Sequence, residues 1–269
     1  MVLSVCIFQL LEAAVAINDF LNTHHVFNRS EFNAAFAGSI TDKNLLTRAI
    51  ASGKIEKVRR GLYVSRADRF KDIKPSSYDI ATKVTDDAVL CYLSALQLHG
   101  VLHNITSRTQ FYTQRRIPDF EYDGQSYRPL AFGNRQIISE SKLIPGRGIY
   151  KTTSKEQTIV DCLYRAPLAG GPENVLRSFS GFTYLLPDLA LKAVLQTNKS
   201  TVARLGWVFD KKQDEWDIDA SFLDKLHSAA GAGPHYFYSS TRSKDSHWVN
   251  KWKLYLPYPE HEMISWLNG

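Results

Sequence analysis

The segment from Ser30 to Arg66 sets out a helix, a turn, a second helix and a basic hairpin in direct succession, and few small folds accommodate that order. Ser30 opens a short helical pattern with Phe32, Ala35 and Phe36 on one side, and Gly38-Ser39 breaks it. Thr41-Asp42 has the form of a second start, an N-cap type of residue followed by an acid in the first turn. Ile40, Leu45, Leu46, Ala49 and Ile50 give this second helix an apolar face, and Gly53 ends it. From Lys54 to Val64 apolar and basic residues alternate around Arg60-Gly61, the pattern of a tight β-hairpin. The whole is the layout of a winged helix-turn-helix, whose second helix is shaped to enter a DNA major groove. Lys43, Asn44, Thr47 and Arg48 then face outward on that helix as candidates for base contact. Lys57, Arg59 and Arg60 on the hairpin are candidates for contact with phosphates or the minor groove.

Charge points the same way. From Arg29 to Lys71 the chain carries ten basic and four acidic residues, a net +6 that equals the formal charge of all 269 residues. A basic patch confined to one small domain is the footprint of a polyanion-binding surface. Basic residues on a hairpin more often mean only a solvated face, but here they coincide with the helix-turn-helix pattern.

The length allows two domains. Lys71 to Ser77, with Pro75, reads as the linker, so residues 1–74 form the DNA-binding domain with a leading helix and residues 75–269 a larger α+β domain. Leu3 to Leu21 has apolar residues at helical spacing. Its strongly apolar part, Leu3 to Ala16, lacks a basic leader, is interrupted by Glu12, and is too short to span a membrane, so the run reads as a core helix. Beyond the linker, Ile80–Val84 and Val89–Leu98 read as helices. Gln110–Thr113, Phe120–Tyr122, Tyr127–Phe132 and Arg135–Ser139 read as strands of a meander, with Asp123-Gly124 as a turn. Helices follow from Ser154 to Tyr164, after Pro172, and over 188–196, 201–209 and 220–228, and the tail returns to strands at 235–238 and 252–256. The fold class is therefore α+β. Cys6, Cys91 and Cys162 lack metal-ligand spacing and read as buried thiols of a reducing cytoplasm.

Pro118-Asp119 followed by Glu140-Ser141-Lys142 matches the short pattern of Mg²⁺-dependent nucleases, where two carboxylates hold the metal and a lysine attends the attacking water. Against it, Ser139 and Ser141 make the second stretch too polar for a central strand. The histidines assemble no metal site. His99 precedes Gly100 at a helix end, where the dipole favours a cation. The tail interleaves Tyr236, Phe237, Tyr238, Trp248, Trp252, Tyr255, Tyr258 and Trp266 with basic residues. That mixture suits sheet core, a single-stranded nucleic-acid platform or a protein surface. The sheet-core reading is favoured.

Four passages in order, Ser52–Val64, Tyr92–Gly100, Thr152–Asp161 continuing to Gly170-Gly171, and Ala203–Trp207, resemble the AbiEi family of antitoxins. These are transcriptional regulators of type IV abortive-infection toxin–antitoxin systems. The family carries an arginine where this chain has Gln157. The resemblance implies a repressor that binds inverted repeats in its own operator. It implies a C-terminal domain that counters a nucleotidyltransferase-like toxin without necessarily forming a stable complex. On this reading the protein is cytoplasmic, uses no cofactor and is not an enzyme. A nuclease and an RNA-binding or protein-interaction module are the competing classes.

Overall fold

Asn28 ends a strand and caps a helix, so the chain turns within one residue. Its side chain accepts from the Glu31 N–H at 2.9 Å, and Glu31 Oε2 accepts from the Asn28 N–H at 2.9 Å. This reciprocal capping box satisfies two donors that a helix start leaves orphaned. In the computed structural model, which describes residues 15–36, 42–238 and 246–269, α1 covers 15–23, followed by β1 (Val26–Asn28) and α2 (Arg29–Ala35). The helix begins at Arg29 rather than Ser30 because Asn28 supplies the cap. Then come α3 (Asp42–Ala51), β2 (Ile55–Arg59) and β3 (Leu62–Ser65). The three strands form an antiparallel sheet ordered β1-β3-β2. Ile17, Phe20, Leu21, Phe27, Phe32, Phe36, Leu46, Ala49, Ile55 and Tyr63 make one buried cluster between helices and sheet. The expected break at Gly38-Ser39, the cap at Thr41, and the apolar run up to residue 14 lie outside the described residues.

The expected linker leads into a capped helix, α4 (Ser77–Val84), held at its start by reciprocal bonds between Ser76 and Asp79. Ile80 and Ala81 are fully buried, α4 packs on β1, and Lys83 pairs with Glu31. The first compact unit therefore runs to Ala88, and the chain divides after α4, not before it.

The second unit, Val89–Gly269, is mixed α+β. Its strands are β4 (Val89–Leu90), β5 (Arg108–Tyr112), β6 (Phe120–Tyr122), β7 (Gln125–Leu130), β8 (Ser139–Ile144) and β9 (Gly148–Thr153). They form one sheet ordered β6-β7-β5-β4-β9-β8. This is not a meander, since β5 pairs with β7 and β4 with β9 in parallel. Asp123-Gly124 makes the β6–β7 turn with positive φ at both residues, 49° and 73°, the geometry a two-residue hairpin favours.

Two expectations are corrected here. Val89–Leu98 is a strand, a turn and the short helix α5 (Leu93–Leu98). A short apolar run fits a buried strand and a buried helix equally, and pairing with β5 and β9 decides it. The strand expected over Arg135–Ser139 begins only at Ser139.

The chain continues through α6 (Lys155–Tyr164), which packs on β9, α7 (Pro172–Phe179), α8 (Pro187–Val194), α9 (Lys199–Lys211) and α10 (Ala220–Ala230). A second sheet, ordered β10-β12-β11, joins β10 (His235–Tyr236), β11 (His247–Val249) and β12 (Leu254–Leu256), and α11 (Glu260–Asn268) ends the chain. Among the described residues no helix is long and apolar enough to cross a membrane.

Candidate nucleic-acid interface

Packing decides which face of α3 points outward. Leu46 and Ala49 turn into the aromatic cluster of the first unit, whereas Asn44, Thr47 and Arg48 are exposed. Ile50, expected on the apolar face, is 36% exposed, because it lies beyond the edge of the buried stripe. The Lys43 side chain lies outside the described residues. Arg48 has no ion pair among the described residues. Gly53, at φ +73°, ends the helix in a conformation that suits glycine.

The hairpin forms where the alternation places it. Lys57 lies opposite Tyr63 and Arg59 opposite Leu62, with a bulge that inserts Val58 between them. Such a bulge bends and twists the strand locally. Gly61, at φ +84°, makes the turn, and its carbonyl accepts from the Arg29 N–H at 2.9 Å, tying the hairpin tip to the start of α2. Lys57 and Arg60 are exposed. Arg59 is half-buried, and burial lowers its guanidinium pKa. Several cations of the stretch are engaged within the unit. Arg66 pairs with Glu56 at 2.7 Å, Lys54 donates to Asn18 Oδ1 at 3.0 Å, and Arg29 donates to Asn33. Asn44, Thr47 and Arg48 on α3 and Lys57 and Arg60 on the hairpin are exposed, as are Lys54, Arg69, Lys71 and Lys74 elsewhere in the unit.

In the second unit the remaining motif passages meet in its interior. Tyr92, between β4 and α5, is fully buried and held at φ 49°, ψ −122°, a strained backbone for a residue with a side chain. Gln110 pins this turn. Its backbone N–H donates to Ser94 Oγ at 2.8 Å, its Oε1 accepts from the Leu93 N–H at 3.0 Å, and its amide donates to the Leu168 carbonyl at 2.9 Å.

Asp161 on α6 is also fully buried, paired to Arg135 at 2.8 Å and accepting from Gln157 at 3.0 Å. Arg135 donates as well to Tyr112 Oη at 3.2 Å. Burial pushes the Asp161 carboxyl above its ordinary range, and Arg135 and Gln157 oppose that. Removing one partner of such a pair leaves a buried charge uncompensated. His99 donates from Nε2 to the Thr153 carbonyl at 2.9 Å, which puts a proton on that nitrogen. Burial lowers its pKa to about 4, which corrects the expected cation at this helix end. Arg204 donates to the carbonyls of Leu163 and Tyr236, and Trp207 donates to Glu260 at 3.0 Å.

The nuclease-like residues do not come together. Asp119 precedes β6 and lies 3.7 Å from Arg128, while Glu140 and Lys142 are on β8. β6 and β8 are the opposite edges of the six-stranded sheet. Five strand spacings separate them, roughly 24 Å, against metal–oxygen distances of about 2.1 Å. Among the described residues no cluster of His, Cys, Asp or Glu is placed to hold a metal ion. Cys91 and Cys162 are free thiols, fully buried, and burial raises both. Cys6 lies outside the described residues.

The chain is thus a two-unit α+β protein, with an exposed polar and cationic surface on the first unit and a pinned polar interior in the second. That fold recurs in the crystal structure of RV2827C protein from Mycobacterium tuberculosis, with a TM-score of 0.58 over 90% of each chain at 12% sequence identity. No protein-family model and no curated protein matches the sequence.

Proposed function

We propose that the chain is a cytoplasmic DNA-binding repressor, its first unit a winged helix-turn-helix, acting as the antitoxin of a type IV system against a nucleotidyltransferase-like toxin. The observation that carries the DNA reading is the exposed row Asn44, Thr47 and Arg48 on α3, flanked by a basic hairpin with a glycine turn. A helix presenting such donors reads base edges in the major groove, and the hairpin cations hold phosphates. The antitoxin reading rests on the ordered motif passages that resemble the AbiEi family. The separation of Asp119 from Glu140 argues against the nuclease alternative.

The test is operator binding by the full chain, using the inverted repeats ahead of its own gene. Arg48→Ala should cost about 1–3 kcal/mol on the operator and relax sequence preference. Unchanged affinity for both operator and random duplex would remove α3 from the interface. Co-expression with an adjacent nucleotidyltransferase-like gene tests the second half. Growth that the second unit fails to restore would refute the antitoxin role.

A further inference from the structure

β8 is an edge of the six-stranded sheet, paired on one side by β9. The Ser154 N–H donates to the Ile138 carbonyl at 2.9 Å, so these two residues stand in a hydrogen-bonded position just ahead of the ladder. Hydrogen-bonded and non-hydrogen-bonded pairs alternate along an antiparallel ladder. Glu140, Lys142 and Ile144 therefore turn their backbone groups to β9, opposite Thr152, Tyr150 and Gly148. The backbone N–H and C=O groups of Ser139, Ser141 and Leu143 point the other way, to the open edge. Ser141 is exposed, and Leu143 is 69% exposed together with its cross-strand neighbour Ile149.

The side chains of Glu140 and Lys142 share one face of the strand, since successive residues alternate. Among the described residues Lys142 has no carboxylate partner, and Glu140 has only the His99 ring, with Nδ1 at 3.9 Å. Burial lowers the pKa of that ring to about 4, so near neutral pH it carries no charge to answer Glu140. Open edges are commonly guarded by proline, by bulges or by lysines that repel an incoming strand. β8 has no proline and no shift in register, and its one lysine is matched by a glutamate two residues away.

We propose that β8 pairs with β8 of a second copy of this chain, antiparallel about a two-fold axis at Ser141, so that Glu140 of each copy lies opposite Lys142 of the other. Outward backbones must meet outward backbones, which leaves axes at residues 140, 141 and 142 near the strand centre. An axis at 140 sets Glu140 against its own copy, and one at 142 sets Lys142 against its own copy; like charges directly opposite are unfavourable. The axis at 141 alone sets Glu140 against Lys142, twice, in the close non-hydrogen-bonded positions. It pairs Ser141 with itself and Ser139 with Leu143, closing about six backbone hydrogen bonds. This self-complementary order of charges is what names the occupant as the same strand, and a two-fold contact of this kind stops at two copies. The inference concerns the second unit and does not depend on the DNA reading of the first.

The test is sedimentation of the full chain over a concentration series, together with cysteine trapping. Wild type should associate to a dimer and no further. Glu140→Lys and Lys142→Glu should each weaken the dimer roughly tenfold or more, because each sets two like-charged pairs across the axis. The double variant Glu140→Lys/Lys142→Glu should restore it, since both strands then carry the reversed order. Ser141→Cys should cross-link to its own copy under mild oxidation, because residues paired at the axis have Cα atoms about 5.5 Å apart, within reach of a disulfide. Ser139→Cys, opposite Leu143, should not, and wild type with its three native cysteines is the control. A chain that stays monomeric at every concentration and gives no Ser141→Cys cross-link overturns the proposal. So does a dimer that survives both single reversals, or one that the double variant fails to restore while its thermal unfolding matches wild type. Should the double variant unfold early, the cysteines decide, and equal cross-linking of Ser139→Cys and Ser141→Cys overturns the register.

Discussion

A single glycine shows how local preference and packing conflict. Gly206 lies inside α9, where replacement by alanine would ordinarily stabilise a helix by about 1 kcal/mol. A Cβ there would sit 2.0 Å from Cζ3 and 2.3 Å from Cη2 of Trp252, and that ring is 1% exposed. Gly206→Ala should therefore destabilise the protein by about 1–3 kcal/mol, read by chemical denaturation. Trp252→Phe in the same chain should recover part of the loss. A stabilised Gly206→Ala would show that the ring moves freely.

His99 supplies the second test at this scale. Its folded pKa is lowered to about 4 from 6.5 by burial, so the unfolded chain binds more protons between those values. Stability is then unaffected by His99 above about pH 6.5 and falls as pH drops through this window, by about 3 kcal/mol in all. His99→Gln keeps a donor for the Thr153 carbonyl and should flatten that part of the stability profile. An identical acid limb in the variant would place the titration elsewhere.

Among the elements, the hairpin β2–β3 invites a charge experiment. Arg60 is exposed at the turn, Arg59 is half-buried beside the bulge, and the tip is bonded to α2 through the Gly61 carbonyl. Phosphate contacts carry no sequence information, so neutralising Arg59 and Arg60 together should weaken all duplexes alike. It should also flatten the salt dependence by about one unit of slope for each phosphate no longer neutralised. A salt titration with an unchanged slope would exclude the hairpin from the interface. Gly61 is needed at φ +84°, so Gly61→Val should disturb the turn and loosen the α2 attachment without removing any charge.

For the whole molecule, the division after Ala88 changes how the chain should be cut. A fragment ending at Lys74 loses α4, whose Ile80 and Ala81 are wholly buried and whose Lys83 pairs with Glu31. A fragment ending at Ala88 keeps them. The longer fragment should unfold cooperatively in calorimetry and the shorter should not, or should melt well below it. Two superimposable melting curves would mean that α4 adds nothing to the first unit. A fragment starting just ahead of Val89 retains both second-unit sheets and should fold alone.

What the sequence determined by itself was local. Apolar spacing, capping residues and turn glycines announced α2, α3, the β2–β3 hairpin, the Asp123-Gly124 turn and α6 with its Ser154 cap. Each of these signals acts over a few residues, within reach of one helix turn or one hairpin. The alternation Leu254-Tyr255-Leu256 was also present in the sequence, but a count of aromatics hides it. Tyr255 turns out between two buried leucines, and only strand pairing sets Tyr236 and Trp248 beside it. Tertiary structure alone decided that Val89-Leu90 is a central strand and that Asp119 and Glu140 stand at opposite sheet edges. It also brought Tyr112, Arg135, Gln157 and Asp161 into one hydrogen-bonded network. Those outcomes depend on which distant strands pair. Hydrogen bonds between backbones at large sequence separation leave no local trace, and burial then sets the charge state of His99 and the role of Gly206.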